Sequence, residues 1–148
     1  MATIQTAKEK IVAMLRTLEN AETLREVVVQ DLKVDPLSAE YAAFPVAVLT
    51  PPSLEASEVL DNRSNVRTYQ FNVVVLMKPE NFDSTVDVEN LQETIINLFD
   101  NDPTLSGNAD AGLEPAFSRP YPLNYAGKDL VYFEIYLRVK IRKDLSFT

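Results

Sequence analysis

The sequence predicts an α+β protein with a mainly antiparallel β-sheet and two α-helices packed on one of its faces. Residues 130–142 alternate apolar and polar side chains, which is the pattern of a strand with one buried face. Residues 3–19 and 84–100 instead repeat apolar side chains at steps of three and four, as amphipathic helices do. Helices and strands do not alternate as βαβ units, so we expect one domain, residues 1–148, in the order α-β-β-β-α-β-β.

The first predicted helix has an apolar stripe and a candidate N-terminal cap. Thr6 and Glu9 have the spacing of a capping box, although Thr3 is an equally good cap. The stripe consists of Ile4, Ala7, Ile11, Met14, Leu15 and Leu18. We expect this helix to pack on the sheet; a helix that binds a partner or a membrane surface is the alternative.

Three strands are predicted between the helices, at residues 24–34, 44–50 and 66–78. Valine-rich or alternating sequences identify them. In the third strand, Val74 and Leu76 make the polar face apolar, which indicates cover on both faces, by a helix and by a neighbouring subunit. The polar segment 53–65 is predicted to be a long, functional connection, because hairpin loops usually have about two to five residues.

The second helix is expected to begin at Ser84 or Thr85 and to end near Asp100. Gly107, Asn108 and Gly112 then allow tight turns. Residues 113–118 are predicted to form a short strand and residues 119–128 an irregular connection, so that about five strands make the sheet.

The composition limits the possible chemistry. The chain has no Cys and no His, which excludes disulfides, thiolate or histidine metal sites, and nucleophile–histidine pairs. A net charge of −8 disfavours general binding to nucleic-acid phosphates. No signal peptide is recognisable, and no apolar run reaches the roughly 20 residues that a membrane span needs. We therefore expect a protein that is not an enzyme and has no cofactor, metal or membrane span.

The remaining candidates for a chemical site are weak. Asp100, Asp102 and Asp110 surround a glycine turn, but they lack the spacing of an EF-hand, so a solvated turn is the expected reading. Glu114 and Glu134 form a catalytic pair only if the fold brings them together. Ser106 and Ser118 have no imidazole to activate them.

Cations follow one another on the polar face of the last strand. They are Arg138, Lys140, Arg142 and the adjacent Lys143. A solvated face is the first interpretation, and salt bridges to acidic parts of a neighbouring subunit are the second. Nucleic-acid binding is the third, because the charge of the whole chain opposes it.

Taken in order, the elements resemble the tail terminator (tail-completion, or head–tail joining) proteins of long-tailed bacteriophages. The likeness rests on the helix ending near Leu18, the strand at 44–48, the entry 62–73, the helix 88–100 with its Asn-Asp-Pro-Thr-Leu-Ser-Gly turn, and the final strand 131–139. The strongest cue combines the sequence Arg-Thr-Tyr-Gln-Phe-Asn-Val, residues 67–73, with a helix ending in Phe99-Asp100.

The resemblance implies a mechanical function in the virion, after assembly in the host cytoplasm. Such proteins form a hexameric ring on the tail tube, stop its polymerisation and provide the docking surface for the head or neck. Implied partners are copies of the chain, the tube protein and a neck protein, while DNA passes through the lumen without sequence-specific binding. A head-closure connector, a small carboxylate enzyme and an adaptor or chaperone-like binding domain remain alternatives.

The connections 53–65, 101–112 and 119–128 are candidates for binding those partners. Acidic residues suited to a DNA-repelling lumen or rim are Glu55, Glu58, Asp61, Asp100, Asp102 and Asp110. Candidate contacts between subunits or with partners are Arg138, Lys140, Arg142, Asp61, Asn62, Arg63, Asp102 and Leu105.

Overall fold

The computed structural model describes residues 2–30, 35, 41–59, 64–109, 112–125 and 128–144. Two helices and one seven-stranded, mainly antiparallel sheet confirm the predicted α+β class. The elements are α1 (Ile4–Asn20), β1 (Glu26–Val29), β2 (Val46–Leu49), β3 (Ser53–Val59), β4 (Ser64–Met77), α2 (Thr85–Asp100), β5 (Gly112–Phe117), β6 (Tyr121–Tyr125) and β7 (Lys128–Asp144). Short 3₁₀ turns lie at Pro79–Asn81 and Leu105–Gly107.

A long antiparallel ribbon of β4 and β7 forms the middle of the sheet. Their register runs without interruption from Ser64 opposite Asp144 to Met77 opposite Val131. At roughly 3.3 Å per residue, a strand of 17 residues such as β7 extends about 56 Å, which is long for a domain of this size. The ribbon therefore has an inner half and an outer half, and the outer half is made by β4 residues 64–70 and β7 residues 138–144.

Shorter strands flank each half of the ribbon. The strand order is β1-β2-β4-β7-β5, and only the β1–β2 pair is parallel. Beside β4, β2 pairs with the inner half and β3 with the outer half. Beside β7, β6 pairs with the inner end, and β5 pairs with residues 135–140, which span the boundary between the two halves. The two halves of the ribbon therefore differ in the strands that flank them.

One face of the sheet is covered by both helices. Ile11 and Leu15 of α1, and Ile95 and Phe99 of α2, are fully buried in the same core as the apolar side chains of β7. The predicted alternation in β7 is confirmed, since Phe133, Ile135, Leu137, Val139 and Ile141 are all buried here. This face supplies most of the apolar burial that stabilises the fold.

A smaller apolar cluster covers the inner half of the other face. Val46, Val48, Val74, Leu76 and Leu130 are buried there, with Tyr41, Phe44, Leu123 and Tyr132 packed against them. Val74 and Leu76 are thus covered on both faces, as expected. The cover on this side comes from the chain itself, however, and not from a neighbouring subunit, because Phe44 and β6 fold back over these valines and leucines.

The cap of α1 differs from the first sequence interpretation. Thr3 is the N-cap: the Thr6 backbone N–H donates to Thr3 Oγ1 at 3.1 Å, and the Thr3 N–H donates to Thr6 Oγ1 at 2.9 Å. The Thr6–Glu9 capping box is therefore wrong, and the alternative at Thr3 is correct. Ser84 occupies the N-cap position of α2, as predicted, but its side chain accepts no capping hydrogen bond.

Two segments predicted to be irregular contain strands. Residues 53–59 of the predicted connection 53–65 form β3, and residues 121–125 of the segment 119–128 form β6. The sheet therefore has seven strands instead of about five. No side chain of β3 is buried, and β6 contains Pro122, so neither shows the alternation that identifies a half-buried strand. Hydrogen bonds to the long ribbon hold both in place.

Within the described ranges, neither helix combines the length and apolar character that crossing a bilayer requires.

Candidate functional site

The outer half of the sheet has a polar surface on the side away from the helices. Paired residues in an antiparallel ladder share a face, so Gln70, Arg138 and Glu114 lie in one row across β4, β7 and β5. The same rule places Thr68 beside Lys140 and Val66 beside Arg142. We call this surface the polar face; its members are Val66, Thr68, Gln70, Glu114, Ala116, Tyr136, Arg138, Lys140 and Arg142.

Three of the four predicted cations lie on the polar face. Lys143 does not, because its register partner is Asn65 and it lies on the helix-covered side of the ribbon. The grouping of Lys143 with the other three cations was therefore wrong. Side chains alternate along a strand, so an odd-numbered residue of β7 cannot share a face with the even-numbered Arg138, Lys140 and Arg142.

The three cations of the polar face have different surroundings. Lys140 Nζ lies 3.0 Å from Glu114 Oε1, and Arg142 Nη2 donates to Ser64 Oγ at 3.3 Å. Arg138 is exposed and makes no hydrogen bond or ion pair with the described part of the chain. Its guanidinium donors are thus available to a group outside the monomer, such as a carboxylate that accepts two of them.

An open concavity of 650 Å³ lies on this surface. It is lined by Gln70, Glu114, Pro115, Ala116, Tyr136 and Arg138. The sequence singled out only Arg138 of this set as an interface candidate. Pairing the two long alternating strands could have identified the other two polar residues. Gln70 is the register partner of Arg138, and Tyr136 lies two residues before Arg138 on the same face of β7.

The two candidate catalytic carboxylates do not converge in this concavity. Glu114 lies opposite Arg138, while Glu134 lies four residues further along β7, about 13 Å at 3.3 Å per residue. Catalytic carboxylate pairs in glycoside hydrolysis are about 5–9.5 Å apart. The Glu114 side chain is also 59% exposed, and its Oε1 lies 3.0 Å from Lys140 Nζ, so it takes part in a surface ion pair.

Ser118 and Glu134 belong to a hydrogen-bonded network beside the concavity. Ser118 Oγ accepts from the Glu134 N–H at 2.9 Å, and the Ser118 carbonyl accepts from Gln92 Nε2 at the same distance. Tyr136 Oη donates to Glu134 Oε2 at 3.0 Å. Partial burial and this hydrogen bond raise the pKa of Tyr136 above its usual value of about 10. The network joins β7 to α2 and gives Ser118 a structural contact.

Asp102 and Leu105 build the turn that follows α2. Asp102 Oδ1 accepts from the Ser106 N–H at 2.8 Å, and Asp102 Oδ2 accepts from Ser106 Oγ at 2.9 Å. Leu105 is fully buried in the main core, with a positive φ of 48°. Its side chain is therefore not available to a partner, and it anchors the turn instead. Gly107 and Gly112 have positive φ, as expected, whereas Asn108 does not.

The acidic turn has no assembled metal site among the described residues. No group of three or more potential ligands from Asp, Glu, His and Cys is present there. Both carboxylate oxygens of Asp102 are already bound to Ser106, and Lys10 Nζ lies 4.0 Å from Oδ2. Asp110, the third candidate ligand, lies outside the described residues, as do the candidate contacts Asp61, Asn62 and Arg63.

The strand β3 forms an exposed edge of the outer half. All seven of its residues are exposed, including Leu54 at 57% and Val59 at 71%. In the part of the chain that the structure describes, β3 pairs only with β4, so its other edge has no strand partner. Glu55 and Glu58, two of the candidate rim residues, lie on this strand. An edge of this kind is open to pairing with another chain.

These features define an α+β sheet protein whose prominent surface is an open, polar sheet face. No family model matches the chain, and no curated protein matches it. Among solved structures, a chain of the "Virion of native gene transfer agent (GTA) particle" is 12% identical, with a TM-score of 0.47 and 96% of each chain covered.

Proposed function

We propose that this protein is a structural component of a phage-like virion, and more specifically a tail terminator that acts as a ring of identical subunits. The order of its elements fits the resemblance found in the sequence, which extends over nearly the whole chain 1–148. The proposed role is to cap the tail tube, stop its polymerisation and present a docking surface to the head or neck. No step of this function requires a covalent reaction.

The observation that carries this proposal is the outer half of the β4–β7 ribbon. One of its faces is polar, and it carries β3, which has seven exposed residues and an edge without a strand partner in the described structure. Glu55, Glu58 and the register shift between Leu54 and Ala56 protect this edge in part, but Leu54 and Val59 on it remain 57% and 71% exposed. Contact with another chain would remove this liability, and a repeated head-to-tail contact closes into a ring without free ends.

The proposed partners follow from the ring. Copies of the chain form it, six in number as the family resemblance implies, and its two unlike faces meet the tube protein and a neck protein. Arg138, Lys140, Arg142 and Asp102 remain proposed contacts, together with Asp61, Asn62 and Arg63. Glu55, Glu58 and Asp100 are exposed and suit a rim or lumen that repels DNA phosphates.

Electron microscopy of particles assembled without this protein tests the proposal. We expect overlong tail tubes without attached heads, because nothing stops polymerisation or supplies the docking surface. Supplying the intact chain should restore tube length and head attachment. Tails of normal length that fail only to attach to heads would instead identify a neck or head-closure connector. Normal tails with attached heads would refute both roles.

A further inference from the structure

The helix α2 carries a one-sided acidic surface. It contains Asp87, Glu89, Glu93 and Asp100 but no Lys or Arg. At 100° per residue, Glu89, Glu93 and Asp100 lie within about 40° of one another around the helix axis. Val86, which is 58% exposed, lies about 60° from Glu89 on the same side. We call Val86, Glu89, Glu93 and Asp100 the acidic stripe.

The acidic stripe is unfavourable in the isolated monomer. Glu89 and Glu93 are like charges at i and i+4, and Asp100 lies at the negative C-terminal end of the helix dipole. No basic residue occupies the last turn, and none of the three acids forms an ion pair with the described residues. A cationic surface from outside the monomer would relieve this repulsion.

The polar face of the sheet supplies a complementary surface. Arg138, Lys140 and Arg142 follow one another at two-residue steps of about 6.6 Å along β7. Glu89 and Glu93 are about 6 Å apart along α2, so the two rows have similar spacing. Pro115 and Ala116 line the concavity beside Arg138 and offer an apolar wall for Val86.

The two surfaces lie on opposite sides of the molecule. The helix α2 packs on the helix-covered face through Val88, Ile95 and Phe99, whereas Arg138 projects from the other face. The surfaces therefore cannot meet within one chain. A two-fold contact through either surface alone would bring like charges together, whereas a head-to-tail contact brings opposite charges together.

We propose that the acidic stripe of one copy docks on the polar face of the next, with Arg138 as the central cation for Glu89 and Glu93. This inference rests on the proposed function, because the ring supplies the second copy of the chain that occupies the polar face. Glu114 and Glu58 also lie on the sheet side that bears the cations, and Glu114 already binds Lys140. Arg138, which has no partner in the described structure, is for that reason the residue on which the contact depends most.

Site-directed cross-linking tests the contact directly, because the natural chain has no Cys. One preparation carries Val86→Cys and a second carries Ala116→Cys, two exposed positions that the contact brings together and that leave its charges intact. The two preparations are mixed and treated with a short bis-maleimide. We expect cross-linked dimers in the mixture, and chains of higher order from the variant that carries both substitutions. The control mixture of Val86→Cys with Arg16→Cys, an exposed position on α1, should remain uncross-linked.

Charge reversal tests the energetics of the same contact. Arg138→Glu and Glu93→Arg should each weaken self-association at least about tenfold in sedimentation equilibrium, since close interfacial charge pairs contribute at least this much. The two substitutions together should associate more tightly than either alone, and should restore the contact only in part, because Glu89 keeps its negative charge. Arg16→Glu and Glu9→Arg are matched controls on α1 and should leave it unchanged. Circular dichroism melts of each variant check that the monomer remains folded.

Several results would overturn the proposed contact. They are equal cross-linking in the control mixture, a double reversal that associates no better than the single ones, and a chain that neither associates nor cross-links at millimolar concentration. Binding of a 30-base-pair DNA duplex that Arg138→Glu abolishes, with self-association unchanged, would assign the cations to DNA. Tail length in particles lacking the protein is measured separately, so a terminator with a different subunit contact remains distinguishable.

Discussion

The two faces of β7 belong to one strand but have different roles. On the helix-covered face, Phe133 to Val139 contribute fully buried side chains to the main core. On the other face, Leu130 and Tyr132 enter a small cluster, whereas Arg138 and Arg142 are exposed. The comparison shows that one face of β7 holds the fold together, whereas the outer half of the other face presents charged side chains to the surface.

The largest difference in stability between variants on the two faces should come from a charge placed on the buried face. Ile135→Asp or Leu137→Asp places an unpaired carboxylate in the main core, where both side chains are fully buried, and should unfold the protein. Thermal denaturation followed by circular dichroism measures this. Arg138→Glu, one residue from Leu137 on the exposed face, is the control and should melt within a few degrees of the natural protein. An unchanged melting temperature for either Asp variant would reverse the assignment of the faces.

A smaller effect is expected in the second cluster. Leu76→Ala removes a fully buried side chain there and should lower the free energy of unfolding by about 2–4 kcal/mol, measured by urea denaturation. The cluster has few buried members, so neighbouring side chains can move into the space and keep the cost near the lower value. A cost below about 1 kcal/mol would mean that this half of the face is held mainly by the ladder and not by its side chains.

The smallest effect concerns how the stability of the fold depends on pH through Tyr136, a residue of the polar face. A raised pKa of Tyr136 means that the folded protein holds its phenol proton more tightly than the unfolded chain does. This contribution to stability is present below about pH 10, the value of an unperturbed tyrosine, and is lost as the pH rises through the folded pKa. The melting temperature of Tyr136→Phe should therefore fall less steeply than that of the natural protein as the pH rises from 9 to 11. This range covers about one pH unit on either side of pH 10.

Tyr41 provides the comparison for that measurement. Its pKa is also raised, by burial and by the charges of Glu26 and Asp35. Tyr41→Phe should reduce the same alkaline decline without affecting the hydrogen bond to Glu134. Identical curves for Tyr136→Phe and the natural protein would show that neither burial nor the hydrogen bond to Glu134 raises the pKa of Tyr136 in the folded protein.

The sequence predicted the parts of this fold that bury a regular face. The alternation of β4 and β7 and the stripes of α1 and α2 identified the ribbon, the helices and the core side of Ile135 and Leu137. It failed where a strand buries nothing, as in β3, and where the strand carries a proline, as in β6. Of the candidate contacts, Arg138, Lys140 and Arg142 share one face, whereas Leu105 is buried.

By itself, the sequence determined the fold class and the absence of cysteine and histidine chemistry, because periodicity and composition are local properties of the chain. Only the tertiary structure decided which strands flank each half of the ribbon and which groups meet in space. It separated Glu114 from Glu134, and it set the acids of α2 and Arg138 on opposite sides of the sheet. The physical reason is that strand register and helix placement depend on contacts between residues far apart in the chain, which no local pattern records.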